Sequence, residues 1–318
     1  MGEIKMTVRV KRITVLFLIL LMLCAFFSGC ASQSAYAPTL YRVQAENGAI
    51  LYLFGSIHIG DDDTYPLPQE ISDAYNSSEY LAVECDIVAY ESDTAAITQM
   101  AAEMMCEPGT YIYDYVGEEN YNSAVQLLEE YGLYNEYYDY FKPVFWTSLM
   151  SEIPLELAQL DSEKGIDRYF ITTAKEEGKP ILEIESVQEQ MDMQLNYSMP
   201  LQVLLFEQSL TDPTAQGLAM KLMYQNWRSG NDSALMGGMD YSYAELVQLY
   251  GEEEGGLYYE YYYELGQKRN IKMADTAQQY MDEGKNVFYV VGAAHMGGEK
   301  GIVSLLEQRG YTVEKIKY

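Results

Sequence analysis

Histidine is scarce in this chain, with two residues among 318, and basic residues are few as well. Lysine and arginine total 20 against 48 acidic residues, which gives a net charge of −28. A general nucleic-acid binder needs a basic face to neutralise phosphates, so this class of protein is excluded. Four cysteines are too few for a disulfide-built scaffold. The 48% hydrophobic content is that of a folded globular protein and excludes a wholly disordered chain.

One long apolar run is present, from Ile13 to Phe27, and only Thr14 interrupts it. Four basic residues precede it: Lys5, Arg9, Lys11 and Arg12. As a helix the run would rise about 22 Å, which is shorter than the roughly 30 Å hydrocarbon core of a bilayer. A basic segment followed by a short apolar run is typical of a secretory signal. Residues 1–29 are therefore predicted to form a lipoprotein signal peptide.

The predicted signal ends at a cysteine that is a candidate for lipidation. Phe27-Ser28-Gly29-Cys30 resembles the bacterial lipobox, whose cysteine becomes diacylated, for example with palmitate, and N-terminal. We expect Cys30 to anchor the chain to the lipid bilayer at the extracellular face of the cell membrane, with residues 30–40 as the lipidated tether. The remaining 16 basic and 47 acidic residues would repel anionic headgroups, so acyl chains rather than a basic patch would hold it. The alternative is an ordinary signal cleaved nearby, which leaves Cys30 as a free thiol.

The rest of the chain alternates between patterns typical of strands and of helices. A continuous apolar run at 49–54 favours a buried strand, and further strands are predicted at 81–84, 180–184, 286–291 and 311–316. Helical patterns fill 66–79, most of 94–160, 166–177, most of 186–283, and 301–308. The sequence predicts one α/β domain over residues 41–318, with a mixed, largely parallel sheet flanked by helices. Two strand–GxxH–helix–strand units, at 49–85 and 286–316, are expected with helical insertions between them.

Both histidines of the protein lie in the same local context. Gly55-Ser56-Ile57-His58 and Gly292-Ala293-Ala294-His295 each follow a predicted buried strand, with the histidine three residues after the glycine. Glycine lets the chain turn sharply and approach a ligand closely. Functional groups of open α/β sheets gather at the carboxyl ends of the strands. A single histidine in such a place is more often structural, but two in matched contexts indicate a shared site.

Carboxylates occur at other predicted strand ends. Glu84 follows the strand that contains 81–83, and Glu183 and Glu185 flank the end of the next one. A carboxylate there is either a ligand or base in the crevice or half of an internal ion pair, because an unpaired buried charge is costly. Two imidazoles with one or two carboxylates suit a divalent metal such as Mn²⁺, Co²⁺ or Zn²⁺. They equally suit water activation by a His–Glu pair without metal, and the residues do not separate these two.

The paired GxxH motifs, with a strand-end glutamate after the first, resemble the TraB/GumN family, to which PrgY-type proteins and the Tiki metalloproteases are related. The similarity spans about residues 40 to 318 and depends on the order of several weak motifs. These motifs lie at 165–170, 174–175, 181–185 with Gln188, 226–230, 268–271 and, as one C-terminal block, 290–313.

The resemblance implies a metallohydrolase-like fold and, from its Tiki branch, peptidase activity with Mn²⁺ or Co²⁺. It places His58, Glu84 and His295 in the active centre as metal ligands, with Arg269 beside them. Glu185 is the candidate second carboxylate. Related His/Glu esterases of the wider superfamily work without metal, which leaves the need for a metal open.

We therefore expect a membrane-tethered extracellular hydrolase that acts on a peptide or a small ester or amide. The alternative is a non-catalytic lipoprotein that binds or sequesters a peptide signal or another ligand. Four other features are not expected to take part in the reaction. These are Ser56, which lacks a nucleophile elbow, the solvated loop 61–63, Glu314 beside two lysines, and the tyrosines of 258–263 as packing residues. Whether Cys85 and Cys106 pair is left open.

Overall fold

The computed structural model describes residues 36–235 and 239–318. The predicted signal peptide and Cys30 lie outside these residues. Within them, no helix has both the length and the apolar character needed to cross a membrane. Cys85 and Cys106 are free thiols, the first buried and the second half-buried.

Six strands form one sheet at the centre of the described residues. In chain order they are β1 (Leu40–Gln44), β2 (Ile50–Ser56), β3 (Tyr80–Val83), β4 (Ile181–Glu183), β5 (Val287–Gly292) and β6 (Thr312–Lys315). Their order across the sheet is β4-β3-β5-β2-β1-β6. The pairs β4–β3, β3–β5 and β5–β2 are parallel, whereas β1 runs antiparallel to both β2 and β6. This confirms the predicted mixed, largely parallel α/β sheet.

Fifteen α-helices surround the sheet in the described residues. They are α1 (Gln69–Ser77), α2 (Ile87–Ser92), α3 (Thr94–Glu103), α4 (Ile112–Val116), α5 (Glu118–Glu130), α6 (Pro143–Met150), α7 (Glu152–Leu157), α8 (Ile166–Glu177), α9 (Val187–Leu195), α10 (Met199–Ser209), α11 (Pro213–Arg228), α12 (Tyr243–Tyr250), α13 (Glu252–Tyr262), α14 (Lys268–Asp282) and α15 (Ile302–Gln308). A π-helical turn, Tyr263–Gln267, joins α13 to α14, and a 3₁₀ turn, Ala293–His295, follows β5. Both predicted strand–GxxH–helix–strand units are present, as β2–α1–β3 and β5–α15–β6.

The central strands β2, β3 and β5 are largely buried, and the successive side chains of each strand point to opposite faces of the sheet. In β5, Phe288 and Val290 belong to one core cluster, together with residues of α6 and α8 such as Trp146 and Phe170. Val287, Tyr289 and Val291 belong to the other, together with Met273 and neighbouring residues of α14. Every residue of β5 is buried, which explains why its apolar run is continuous.

The sequence pattern gave no indication of β1. Its residues, LYRVQ, include only two that are fully buried, Leu40 and Val43, so no apolar run marks the strand. In the register of the β1–β2 pair, Leu40 faces Phe54 and Gln44 faces Ile50. The chain therefore enters β1 at the edge of the sheet where β2 ends.

Residues just before β1 contact the domain. The Tyr36 ring packs edge-on against Trp227 of α11 at 6.1 Å, and the Arg228 guanidinium lies over it at 4.1 Å. The backbone N–H of Ala37 donates to the Arg228 carbonyl at 2.7 Å. Tyr36 and Ala37 are thus both held against α11.

Candidate active site

Four parallel strands bring their carboxyl ends to one edge of the sheet, and the predicted site residues lie there. Glu84 directly follows β3, Glu185 is two residues beyond β4, and His58 is two residues beyond β2. His295 ends the 3₁₀ turn after β5. This is the edge at which open α/β sheets carry their ligand sites.

The glycine of the first GxxH motif is required by close packing against the second. A Cβ atom on Gly55 would lie 3.1 Å from both Cα and Cβ of Ala293 and 3.3 Å from Cγ of Met296. The Gly55 carbonyl also accepts a 2.9 Å hydrogen bond from the Trp227 indole. The lack of a side chain at Gly55 therefore lets the two motifs approach each other.

Arg269, on the first turn of α14, links three of the predicted residues. Its Nη2 donates to Glu84 Oε2 at 2.6 Å and to Glu185 Oε2 at 2.7 Å, and its Nε donates to Glu185 at 3.0 Å. Its Nη1 lies 3.3 Å from His295 Nε2. Arg269 is only 5% exposed. Although burial alone would lower the pKa of its guanidinium, the charges of Glu185 and Glu84 outweigh that effect and raise it.

Glu84 is held as an anion. Its Oε1 accepts the Gly292 backbone N–H at 2.7 Å, while Oε2 receives Arg269. Burial opposes ionisation, but the charges of Arg269, His295 and His58 and the Gly292 hydrogen bond together lower the pKa of this carboxyl to about 2. Both histidines are thus electrostatically coupled to Glu84, which lies with Arg269 at the centre of the cluster.

The tautomer of His295 follows from its neighbours. Asn270 donates through Nδ2 to the Lys300 carbonyl at 2.9 Å, which fixes the amide so that Oδ1 faces the ring. His295 Nδ1 lies 2.6 Å from that oxygen and must therefore be the N–H donor. Burial and the neighbouring Arg269 charge lower the His295 pKa to about 3. The ring is neutral at pH 7, with the Nε2 lone pair towards Arg269.

His58 has the opposite electrostatic environment. Its Nδ1 lies 2.6 Å from Asp167 Oδ2, in the first turn of α8, and both side chains are buried. The other Asp167 oxygen accepts the Ser56 hydroxyl at 2.8 Å. Burial alone would lower the pKa of His58, but the charge and hydrogen bond of Asp167 exceed that effect and raise it. Since a carboxylate only accepts, Nδ1 carries the proton and Nε2 is the atom left for chemistry.

The sequence interpretation missed three side chains in contact with the site: Asp167, Asn270 and Gln190. The first two orient the histidines, and Gln190 Nε2 donates to Glu84 Oε2 at 3.1 Å and to Glu185 Oε2 at 3.0 Å. Each is a polar residue near the start of a helix, or within it, that packs against the strand ends. Their only signal was that Asp167 and Asn270 belong to the segments that resemble the family.

Other candidates lie away from the cluster. Glu183 is exposed and accepts the Asp86 N–H at 2.8 Å. Glu314 is exposed on β6. Asp61 accepts the Tyr224 hydroxyl at 2.7 Å in a loop whose next two residues are exposed, as expected for 61–63. In the tyrosine run, Tyr261 and Tyr262 are buried in a core cluster, which agrees with packing.

Two of the three predicted metal ligands, Glu84 and His295, have their donor atoms turned to other partners. The imidazoles have the tautomer that metal ligands use, with Nδ1–H bound to an orienting acceptor. However, Arg269 occupies His295 Nε2 and one oxygen of Glu84, and Gly292 occupies the other. In the part of the chain that the structure describes, no three His, Cys, Asp or Glu side chains are arranged to hold an ion. As arranged, His58, Glu84 and His295 do not fit a metal.

Comparison with known proteins identifies one family and several distant relatives. A family model described as the TraB/PrgY/gumN family matches residues 39–315. The uncharacterized protein YbaP of Escherichia coli is 25% identical over 80% of this chain and 87% of its own length. A metalloprotease TIKI homolog of Amphimedon queenslandica is 22% identical over 90% of this chain, and metalloprotease TIKI2 of Xenopus tropicalis is 25% identical over 83%. No solved structure matches.

The two Tiki relatives are longer proteins. The alignments cover 63% of the Amphimedon sequence and 57% of the Xenopus sequence. The similarity therefore spans somewhat more than half of each of these relatives.

Proposed function

The chain belongs to the TraB/PrgY/gumN family, and from this premise we propose that it is a peptidase-like hydrolase in which His58 activates water. Two relatives that are named metalloproteases support the peptidase-like assignment. The observation that carries the mechanism is the buried His58–Asp167 pair, with 2.6 Å between Nδ1 and Oδ2.

His58 has the properties of a general base. A base of this kind works best with a pKa near the operating pH, and the charge and hydrogen bond of Asp167 raise the pKa of His58 above its ordinary value. Asp167 also fixes the tautomer and stabilises the imidazolium once a proton is taken up. In the proposed step, Nε2 takes a proton from water while the water oxygen bonds to the carbonyl carbon. The imidazolium then returns the proton to the leaving nitrogen as the C–N bond breaks.

Arg269 supplies the positive charge for the oxyanion of the tetrahedral intermediate. Preorganised charge in a buried site is the largest single contribution in many hydrolases. Glu84 and Glu185 hold the guanidinium from two sides, and the neutral His295 accepts from Nη1 without adding repulsion. With a pKa of about 2 and both oxygens engaged, Glu84 positions Arg269 and is a poor acceptor for the proton of water.

Metal dependence is the second candidate, because the Tiki relatives are named metalloproteases. His58, Glu84 and His295 would hold Mn²⁺, Co²⁺ or Zn²⁺, and such an ion would supply Lewis acidity and a more acidic bound water. The ion would have to displace Arg269 from His295 and Glu84.

We further propose that the enzyme acts at the extracellular face of the cell membrane, anchored through acylated Cys30. The lipobox-like Phe27-Ser28-Gly29-Cys30 after a short apolar run supports this location. Labelling with a palmitate analogue in a bacterial host, compared between the wild type and Cys30→Ala, tests it. Equal labelling of both chains would contradict the anchor.

The enzymatic proposal is tested with a peptide library in H₂¹⁸O, with mass spectrometry of the products. We expect new carboxyl groups that carry one ¹⁸O atom with the wild type, and loss of products with His58→Gln. Glu183→Gln is the matched control, because Glu183 is a strand-end glutamate outside the cluster. Peptides that bind tightly without any product would instead support the alternative of a non-catalytic binding lipoprotein.

A further inference from the structure

A cleft of about 640 Å³ opens beside the active site, between α9 and the segment from α13 to α14. Glu185 and Arg269 of the cluster line its inner end, together with Gln190. Asp192 and Glu260 line it farther out. The cleft is therefore the space from which a ligand would reach the cluster.

Gln190 leaves a buried acceptor unpartnered in this cleft. Its side chain is only 2% exposed, and its Nε2 donates to Glu84 and Glu185. The orientation of the amide is fixed, because carboxylates only accept and the NH₂ group must face them. Oε1 then points away from the carboxylates and has no hydrogen-bond partner among the described residues. Buried acceptors rarely remain unpaired, so the site is suited to an N–H from a ligand.

The charges of the cleft favour a cationic ligand. Its lining holds five carboxylates against three cationic side chains: Glu185, Glu189, Asp192, Glu260 and Glu264 against Lys268, Arg269 and Lys272. The three cations each pair with a carboxylate of the cleft, as Lys268–Glu264, Lys272–Glu189 and Arg269–Glu185. Asp192 and Glu260 have no ion pair in residues 36–235 and 239–318; they accept from Gln188 and Ser198 instead. Two negative charges are thus available to a ligand.

A second cleft continues from the first. Asp192 and Asn196, at the end of α9, line both spaces, and the second has a volume of about 860 Å³. Glu103 and Glu107 line it against the single cation Lys142, whose ammonium donates to the Glu103 carbonyl. The excess of negative charge therefore extends away from the active site, along a path suited to an extended chain.

We propose that these two joined clefts bind an extended peptide with a net positive charge, and that Gln190 Oε1 accepts one of its backbone N–H groups. This proposal names the substrate class of the proposed hydrolase. Binding of the peptide does not depend on the proposed function, whereas its hydrolysis does. Side-chain ammonium or guanidinium groups would pair with Asp192, Glu260 and Glu107. The Gln190 contact would fix the chain beside Arg269.

Fluorescence anisotropy with labelled hexapeptides tests the charge preference. The probes alternate alanine with lysine, glutamine or glutamate. We expect the lysine peptide to bind at least about 10-fold more tightly than the glutamate peptide at low salt, with a smaller ratio at high salt because screening weakens the attraction. The double variant Asp192→Asn/Glu107→Gln should reduce that ratio several-fold. The matched control Glu46→Gln/Glu314→Gln removes two exposed charges elsewhere and should leave it unchanged.

A series of lysine peptides, each N-methylated at one backbone position, tests the Gln190 contact. We expect one N-methyl position to weaken binding to the wild type by about 3- to 10-fold, which corresponds to one hydrogen bond. The same methyl group should add no loss in Gln190→Met. The scan on the wild type gives a result even if that variant does not fold, which circular dichroism will show.

Equal binding of lysine and glutamate peptides, or equal effects of the two double variants, would overturn the inference. A wild type that is insensitive at every N-methyl position would overturn the Gln190 contact. Binding of the lysine peptide without hydrolysis would contradict the proposed function and leave the cleft assignment intact. Hydrolysis of peptides regardless of their charge would support the proposed function and contradict the cleft assignment.

Discussion

Arg269 Nη1 lies 3.3 Å from His295 Nε2, while Nη2 of the same guanidinium joins Glu84 and Glu185. A fixed cation thus faces an imidazole that burial and charge keep neutral. The other histidine faces a carboxylate, Asp167, and its pKa is displaced in the opposite direction. Two histidines with the same local motif consequently have different protonation behaviour, and several measurable effects depend on that difference.

The pH dependence of hydrolysis should report His58. As the base it acts in the neutral form, so kcat/KM should rise with pH through a pKa above the ordinary value of about 6.5. Asp167→Asn removes the negative charge that raises this pKa. The acidic limb of the pH profile should therefore move to lower pH, and the rate should fall by roughly 10²–10⁴-fold. An unchanged limb in Asp167→Asn would contradict the assignment of His58.

Stability at mildly acidic pH should report His295. Its pKa is about 3 in the folded state, against about 6.5 unfolded, so between these values the unfolded chain binds the additional proton. The free energy of unfolding should therefore decrease as pH falls from about 6.5 towards 3. The slope against pH should correspond to at most about one additional proton bound by this group in the unfolded chain. Urea unfolding across this range measures the slope, which His295→Gln should reduce. An identical slope in both chains would show that other groups cause it.

Removal of Arg269 should destabilise the fold strongly. Arg269→Met leaves Glu84 and Glu185 buried without their counter-ion, which costs about 3–5 kcal/mol in comparable pairs. Urea unfolding measures this loss. The triple variant Arg269→Met/Glu84→Gln/Glu185→Gln removes the unpaired charges and should recover part of the loss. If the triple variant is as unstable as the single one, repulsion between the carboxylates is not the cause.

Metal affinity should increase when Arg269 is removed. The guanidinium occupies His295 Nε2 and one Glu84 oxygen, so it competes with an ion for those atoms. Calorimetric titration of chelator-treated protein should show tighter Mn²⁺, Co²⁺ or Zn²⁺ binding by Arg269→Met than by the wild type, by about 10-fold or more, since one cationic competitor is worth at least about 1.4 kcal/mol here. Adding His295→Gln should abolish that gain. Tight binding by the wild type that Arg269→Met does not alter would place the ion elsewhere.

The close approach of the two GxxH motifs should make Gly55 intolerant of a side chain. Gly55→Ala places a Cβ 3.1 Å from Ala293, and overpacking of this kind costs about 1–3 kcal/mol. Gly256→Ala is the control, because its Cβ would meet only a Tyr243 ring atom at 4.0 Å and alanine favours a helix. Thermal unfolding of the two variants should therefore change in opposite directions. If Gly55→Ala leaves the unfolding temperature unchanged, the motifs can separate without a cost in stability.

The sequence predicted β2, β3 and β5 because most of their residues are buried. β5, with every residue buried, gives a short uninterrupted apolar run that ends at a glycine, which favours a strand. The strand ends then indicated His58, Glu84, Glu185 and His295. β1 was missed because only two of its five residues are fully buried, so no apolar run marks it.

The partners of the site residues could not be predicted because they lie far from those residues in the chain. Asp167 lies 109 positions from His58, and Gln190 lies 106 positions from Glu84. Only the path of α8 and α9 across the sheet brings them together. Nor did any local pattern indicate that Arg269 would occupy the atoms expected to bind a metal, because that position depends on how α14 packs over the strand ends.

The reversed direction of β1 determines where the N-terminal segment leaves the domain. Leu40 pairs with Phe54, beside the strand ends that carry the histidines, and Ala37 is fixed to α11. Cys30 lies seven positions before Ala37, and an extended chain over that separation reaches at most about 25 Å. With the acyl anchor proposed at Cys30, the strand ends that carry the histidines would stay close to the bilayer, and the proposed hydrolase would meet its substrates near the headgroups.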